Sequence, residues 1–108
     1  IFGDGEQTRD FIFVKDIVAA NVYFAMELPA TGVFNMACGR RITIKDLAKT
    51  ICHLTCSRSE IKYAAERPGD VKHSVASIEK LRNAGFVPTA NFNDGLKATI
   101  EYFNQIYA

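Results

Sequence analysis

Two stretches of the chain combine residue types able to hold a phosphorylated, hydroxylated ligand. The first is Gly3-Asp4-Gly5-Glu6-Gln7-Thr8-Arg9-Asp10-Phe11 and the second is Glu66-Arg67-Pro68-Gly69-Asp70-Val71-Lys72-His73-Ser74. In the second, Pro68 fixes one backbone angle and Gly69 frees the next, which predicts a defined loop with Arg67 and Asp70 three residues apart. An arginine presents a planar fork of donors that matches phosphate oxygens bidentately, and a nearby carboxylate accepts from sugar hydroxyls. Arginine plus acid in a Pro-Gly loop therefore suits a nucleotide-sugar. The same two residue types also make an ordinary surface ion pair worth about 0 to 1 kcal/mol, and residue type alone leaves both readings open.

The Gly-x-Gly of the first stretch invites a dinucleotide-loop reading, which fails on its context. A phosphate-cradling Gly-x-Gly-x-x-Gly needs a third glycine, a strand before it and a helix after it. Here Thr8 stands at the third position and a strand is expected to follow, so the glycines read as a tight turn. Metal chemistry is equally poorly supplied. Cys52 and Cys56 lie four apart in a predicted helix, but zinc needs about four ligands and only His53 and His73 remain as soft candidates. Reduced thiols filling small spaces in a cytoplasmic protein fit the three cysteines better, and no metal site is expected.

The elements that must position these stretches alternate. Asp10 to Val14 is aromatic and β-branched enough to predict a strand, and a helix is expected from Asp16 to Glu27. That helix is apolar almost all round, at Ile17, Val18, Ala20, Val22, Phe24, Ala25 and Leu28, and should be buried on more than one side. After Pro29 and Gly32, Val33 to Ala37 predicts a short strand. Thr43 is the expected cap of a second helix, with Asp46 as a capping-box variant and Ile44, Leu47, Ala48, Ile51 and Cys52 as its buried stripe. A third strand is expected at Ile61 to Ala64, then a short helix from Ile78 to Ala84 between Ser77 as cap and Gly85 as terminator. The last helix is the clearest, capped by Asn91, with Asp94 in its first turn and Phe92, Leu96, Ile100, Phe103 and Tyr107 at helical spacing. Strands alternating with helices predict an α/β fold, and three short strands are few for a self-sufficient sheet.

A chain of 108 residues is long enough for one domain with a modest core, too short for a nucleotide domain plus a substrate domain. With 13 Lys and Arg against 12 Asp and Glu, its net charge of +1 offers no global field for nucleic acid or a membrane surface, so any anion must be caught locally. No apolar run reaches the roughly 18 to 20 residues that span a bilayer. Ile1 in place of an initiator Met predicts a piece of a longer chain.

Four runs together, GDGEQTRDFIFVKDIVAAN, VFNMACGRRITIKDLA, ERPGDVKHSVASIEKLRNAGF and NFNDGLKATIEYF, resemble the C-terminal third of extended short-chain dehydrogenases and reductases, in order and spacing and over nearly the whole chain. The resemblance is strongest to UDP-glucose and UDP-N-acetylglucosamine 4-epimerases within the NAD-dependent epimerase/dehydratase family. It implies that residues 1–108 are the nucleotide-sugar-binding portion of an extended Rossmann-type fold. Arg9 and Arg67 would contact the substrate diphosphate from two sides, Asp70 would hold the uridine ribose, and Gln7 and His73 would line the pocket. It further implies that NAD is bound by a preceding domain, that the parent is a cytoplasmic homodimer, and that a Tyr-x-x-x-Lys pair supplies the base. Four residues after Tyr23, Tyr63 and Tyr102 come Glu27, Arg67 and Ile106, and Tyr107 is too near the end, so no catalytic residue is expected in these 108. A dTDP-glucose dehydratase and a UDP-glucuronate decarboxylase, which share the first motif, and a non-catalytic binding member of the superfamily remain alternatives.

Overall fold

Thr43 starts the best-specified helix in the way its sequence demands. Its hydroxyl accepts the backbone N–H of Asp46 at 3.0 Å, removing one of the unpaired donors of the first turn. A computed structural model describes residues 1–26 and 31–107, with the order β1 (Thr8–Arg9), α1 (Val14–Met26), β2 (Ile42–Thr43), α2 (Ile44–Leu54), α3 (Glu79–Asn83) and α4 (Phe92–Tyr107). Asn91 caps α4, its Oδ1 accepting from the Asp94 N–H at 2.8 Å while its amide donates to the Asp94 carboxylate at 2.6 Å. Both helices stand where their caps and periodicity put them.

The expected strands fare differently. Strand pairing begins two residues early: β1 is antiparallel to β2, Thr8 opposite Thr43 and Arg9 opposite Ile42. Asp10 to Val14 is not a strand, because its groups are committed elsewhere. The Asp10 carboxylate binds the N–H groups of Cys38 and Gly39, and the Phe13 carbonyl already accepts from Asp16 and Ile17 to open α1. Val33 to Ala37 forms no strand either. The Val33 carbonyl is taken by the Lys80 ammonium at 2.7 Å, and Phe34 turns its ring onto Phe24. Of Ile61 to Ala64 only Ala64 pairs, in a parallel bridge with Phe2. The third helix is shorter than expected, and its cap position is Ile78 with no side-chain bond, so Ser77 does not cap it. Gly85 does end that helix, at φ +90°, where its N–H donates to the Arg82 carbonyl and an added Cβ would lie 2.6 Å from Tyr23 Oη.

Helix α1 is not buried on more than one side. Val14, Val18, Val22 and Met26, one row at four-residue spacing, are each more than half exposed, and of its apolar residues only Ala20 is buried. The positions expected at Glu27, Leu28 and Pro29 lie outside the described residues. No residue of α2 is fully buried: of its predicted stripe Ile44, Leu47, Ala48 and Cys52 are partly buried and Ile51 is exposed. The core is a small knot of Ala37, Ile78 and Leu81, with Phe24, Met36, Ala76 and Phe86 against it. Asp16 fixes the second half to the first: its carboxylate, 5% exposed, accepts from the Thr89 N–H and hydroxyl and from the Ala90 N–H. A buried carboxylate with three donors is satisfied rather than costly.

Candidate functional site

The two motif stretches lie side by side along β1. Beyond its pairing with β2, Thr8 makes a parallel bridge to His73, donating its N–H to the Lys72 carbonyl at 2.8 Å and accepting the Ser74 N–H at 3.1 Å. The Thr8 hydroxyl also bonds His73 Nδ1 at 2.9 Å. At the other end, Gly3 donates to the Ala64 carbonyl and Ala64 to that of Ile1. Residues 1–9 are thus held to 64–74 by backbone at both ends, although some 60 positions separate them in sequence. Gly5 permits the close approach of α2. A Cβ there would lie 2.9 Å from the Cβ of Lys45, whose N–H donates to the Gly5 carbonyl.

Between the two stretches is a cleft of about 160 Å³ lined by Phe2, Asp4, Gln7, Glu66, Asp70 and Lys72, among others. Gln7 donates its amide to the Phe2 carbonyl at 2.8 Å, and its own carbonyl accepts the Ile44 N–H. Arg67 adjoins the cleft through two contacts: its Nε donates to Asp70 Oδ2 at 3.0 Å, and its guanidinium carbon sits 4.4 Å from the centre of the Phe2 ring. Arg9 adjoins it through the backbone. Its Nη1 donates to the Thr8 carbonyl at 2.7 Å and reaches the Lys72 carbonyl at 3.5 Å. Of the five residues singled out by sequence, Gln7 and Asp70 line the cleft, His73 braces it through Thr8, and the two arginines stand next to it without lining it.

A second hollow, about 220 Å³, had no warning in the sequence. Phe11, Phe13, Ile42, Leu47 and Phe92 form its apolar walls, with Cys38 and Arg40 also at its lining. Burial, and secondarily the Asp10 carboxylate, push the Cys38 thiol above its ordinary range, with Arg40 opposing, so the thiol stays protonated at neutral pH. The aromatic run that suggests a strand is in fact wall material for this hollow. Asp10, whose two oxygens hold Cys38 and Gly39 at 2.9 and 2.8 Å, was also illegible, because its partners lie 28 and 29 residues away. Among the described residues no group of three or more His, Cys, Asp or Glu gathers as a metal site, and no helix is long and apolar enough to cross a membrane.

Known proteins carry a similar fold. The model of the NAD dependent epimerase/dehydratase family matches residues 1–37. The UDP-glucose 4-epimerase of Thermotoga maritima, solved with UDP-glucose, superposes with a TM-score of 0.91 at 38% identity, over 100% of this chain and 35% of that one. The UDP-N-acetylglucosamine 4-epimerase of Methanobrevibacter ruminantium, solved with UDP-N-acetylmuramic acid, does so with 0.90 at 43% identity, over 97% and 34%. Residues 1–37 thus match the NAD dependent epimerase/dehydratase family, and the chain as a whole is similar to these 4-epimerases. Its fold is accordingly a mixed α/β part of a Rossmann-type short-chain dehydrogenase/reductase. A dTDP-glucose 4,6-dehydratase of Salmonella typhimurium is 30% identical over 95% of this chain and 31% of its own length. The chain spans about a third of the length of these relatives.

NAD is the cofactor in the family's name, and the residues described here do not form a cradle for it. The Gly3-Asp4-Gly5 turn leads into β1 rather than a helix, and the space at Gly5 is filled by α2 rather than open to a pyrophosphate. The cleft is lined instead by the carboxylates of Asp4, Glu66 and Asp70, the Gln7 amide and the Lys72 ammonium, with the Arg67 guanidinium beside it.

Proposed function

We propose that this chain is the UDP-sugar-binding portion of an NAD-dependent nucleotide-sugar 4-epimerase, that it acts within a longer protein, and that it turns nothing over alone. The observation that supports the reading is the lateral bond between the two motifs, Thr8 to His73, which sets the Arg67–Asp70 loop along the cleft with Arg9 beside it. A diphosphate brings about two negative charges, and two guanidiniums neutralise them with bidentate geometry. In this reading Asp70 accepts from the ribose hydroxyls, Gln7 and His73 complete the walls, and NAD is held by the preceding part of the protein. The chain's share of catalysis is to anchor the nucleotide while the sugar is processed, spending remote binding energy on position. The similarity to 4-epimerases crystallised with UDP-sugars supports this choice of ligand.

A dehydratase reading is favoured by the dTDP-glucose 4,6-dehydratase similarity. Turnover of the full-length protein with a panel of UDP-sugars and dTDP-glucose separates the two. Interconversion of 4-epimers is the expected result, and loss of water from dTDP-glucose with no epimerisation would replace the first reading by the second.

A further inference from the structure

We infer that Thr8 is a positioning residue for Arg9, locking the two motif stretches in the register that orients the Arg9 guanidinium before any diphosphate arrives; the inference rests on the UDP-sugar reading above. Thr8 is 8% exposed, which leaves little of it for a ligand to touch, yet each of its polar groups is committed across the seam between the stretches. Its N–H donates to the Lys72 carbonyl at 2.8 Å and its carbonyl accepts the Ser74 N–H at 3.1 Å. Its hydroxyl bonds His73 Nδ1 at 2.9 Å. Three consecutive residues of the second stretch are thereby tied to a single residue of the first.

Arg9 lies across that seam. Its Nη1 donates to the Thr8 carbonyl at 2.7 Å and reaches the Lys72 carbonyl at 3.5 Å, one acceptor from each stretch. Lys72 is 63 positions from Arg9 in sequence, and it is the pairing of Thr8 that brings its carbonyl within reach. With Nη1 engaged at both carbonyls, Nε and Nη2 remain, and among the described residues neither makes a hydrogen bond. That edge carries two neighbouring donors, a match for a pair of phosphate oxygens. Arg67 is held the other way round, its Nε taken by Asp70 and its terminal nitrogens left over. The two stretches therefore offer different edges of their guanidiniums to one anion. Fixing Arg9 beforehand removes ordering cost from the binding step.

The test is calorimetric titration of the full-length protein with UDP and, in parallel, with uridine. Thr8→Val keeps the shape and the backbone pairing and removes only the bond to His73, an exposed residue whose ring water can then satisfy. It should weaken UDP about 2- to 10-fold, the worth of one net hydrogen bond, and leave uridine unchanged. Thr8→Ser, which keeps the hydroxyl, should retain the UDP affinity. In an Arg9→Ala background Thr8→Val should have no further effect, since the group it positions is gone. An additive loss in that double variant, or an equal loss of uridine affinity, would mean that Thr8 supports the cleft as a whole and would overturn the positioning role. Unchanged UDP affinity in Thr8→Val, or a loss in Thr8→Ser as large as in Thr8→Val, would overturn it too. Wild-type UDP affinity in Arg9→Ala alone would instead remove the reading on which the inference stands.

Discussion

Arginine, carboxylate and glycine types at fixed spacing made the two motif stretches visible, but their partners were not. Nothing local says that Asp16 binds residues 89 and 90, more than 70 positions away, or that Asp10 spans to Cys38 and Gly39. Asp16 looks from sequence like a helix N-terminal acid, and its position in the first turn of α1 agrees with that. Its main work is long-range. Asp16→Asn keeps the shape but puts an amide donor among three donors, so at least one is left unpaired. We expect a loss of about 1 to 3 kcal/mol in the unfolding free energy of the full-length protein, read by urea denaturation. A loss under a few tenths would show that water satisfies those donors. At Arg67 the charge and the fork can be separated: Arg67→Lys keeps one and loses the other, and should recover only part of the UDP affinity that Arg67→Ala forfeits. Full recovery in a titration would show that charge alone is recognised.

At the level of elements, the two helices capped by Thr43 and Asn91 were legible and the strands were not, and the difference is physical. A helix satisfies its own backbone within the segment, so Thr43 and Asn91 announce α2 and α4 by caps and periodicity alone. A strand needs a neighbour, and Asp10 to Val14 has a β-like composition with its backbone and side chains already spoken for. The observed pairings are two residues long or single bridges, too short to leave a periodic trace. The caps and terminators can be weighed directly. Thr43→Ala should cost about 1 kcal/mol by losing the bond to Asp46. Gly85→Ala should cost at least as much, since it adds a Cβ 2.6 Å from Tyr23 Oη at a φ of +90° and disturbs the hydroxyl that donates to Ala84. Thermal melts of the full-length variants check both, and an unchanged Tm in either would show that the local geometry relaxes freely.

The whole molecule is too open for its size. Its radius of gyration is 16.4 Å where about 13 Å is usual for this length, and its accessible surface is 7821 Å² where about 6000 Å² is usual for its mass. The uncovered area is apolar in places, as on the Val14, Val18, Val22 and Met26 row of α1 and at Tyr102, Phe103, Ile106 and Tyr107 of α4. Purified by themselves, these 108 residues should therefore self-associate or melt at low temperature, and a stable monomer in sedimentation at high concentration would count against that. Likewise they should neither bind NAD nor epimerise UDP-sugars, and turnover by the pure 108-residue chain would end the proposed division of labour. The most direct test of the central claim is isothermal titration of UDP into the full-length protein and its Arg9→Ala, Arg67→Ala and doubly substituted forms. Each single change should cost on the order of 1.5 to 3 kcal/mol, the double less than their sum because both arginines share one diphosphate, with NAD affinity unmoved. Wild-type UDP affinity in both single variants would contradict the account, reducing the two motifs to structural turns.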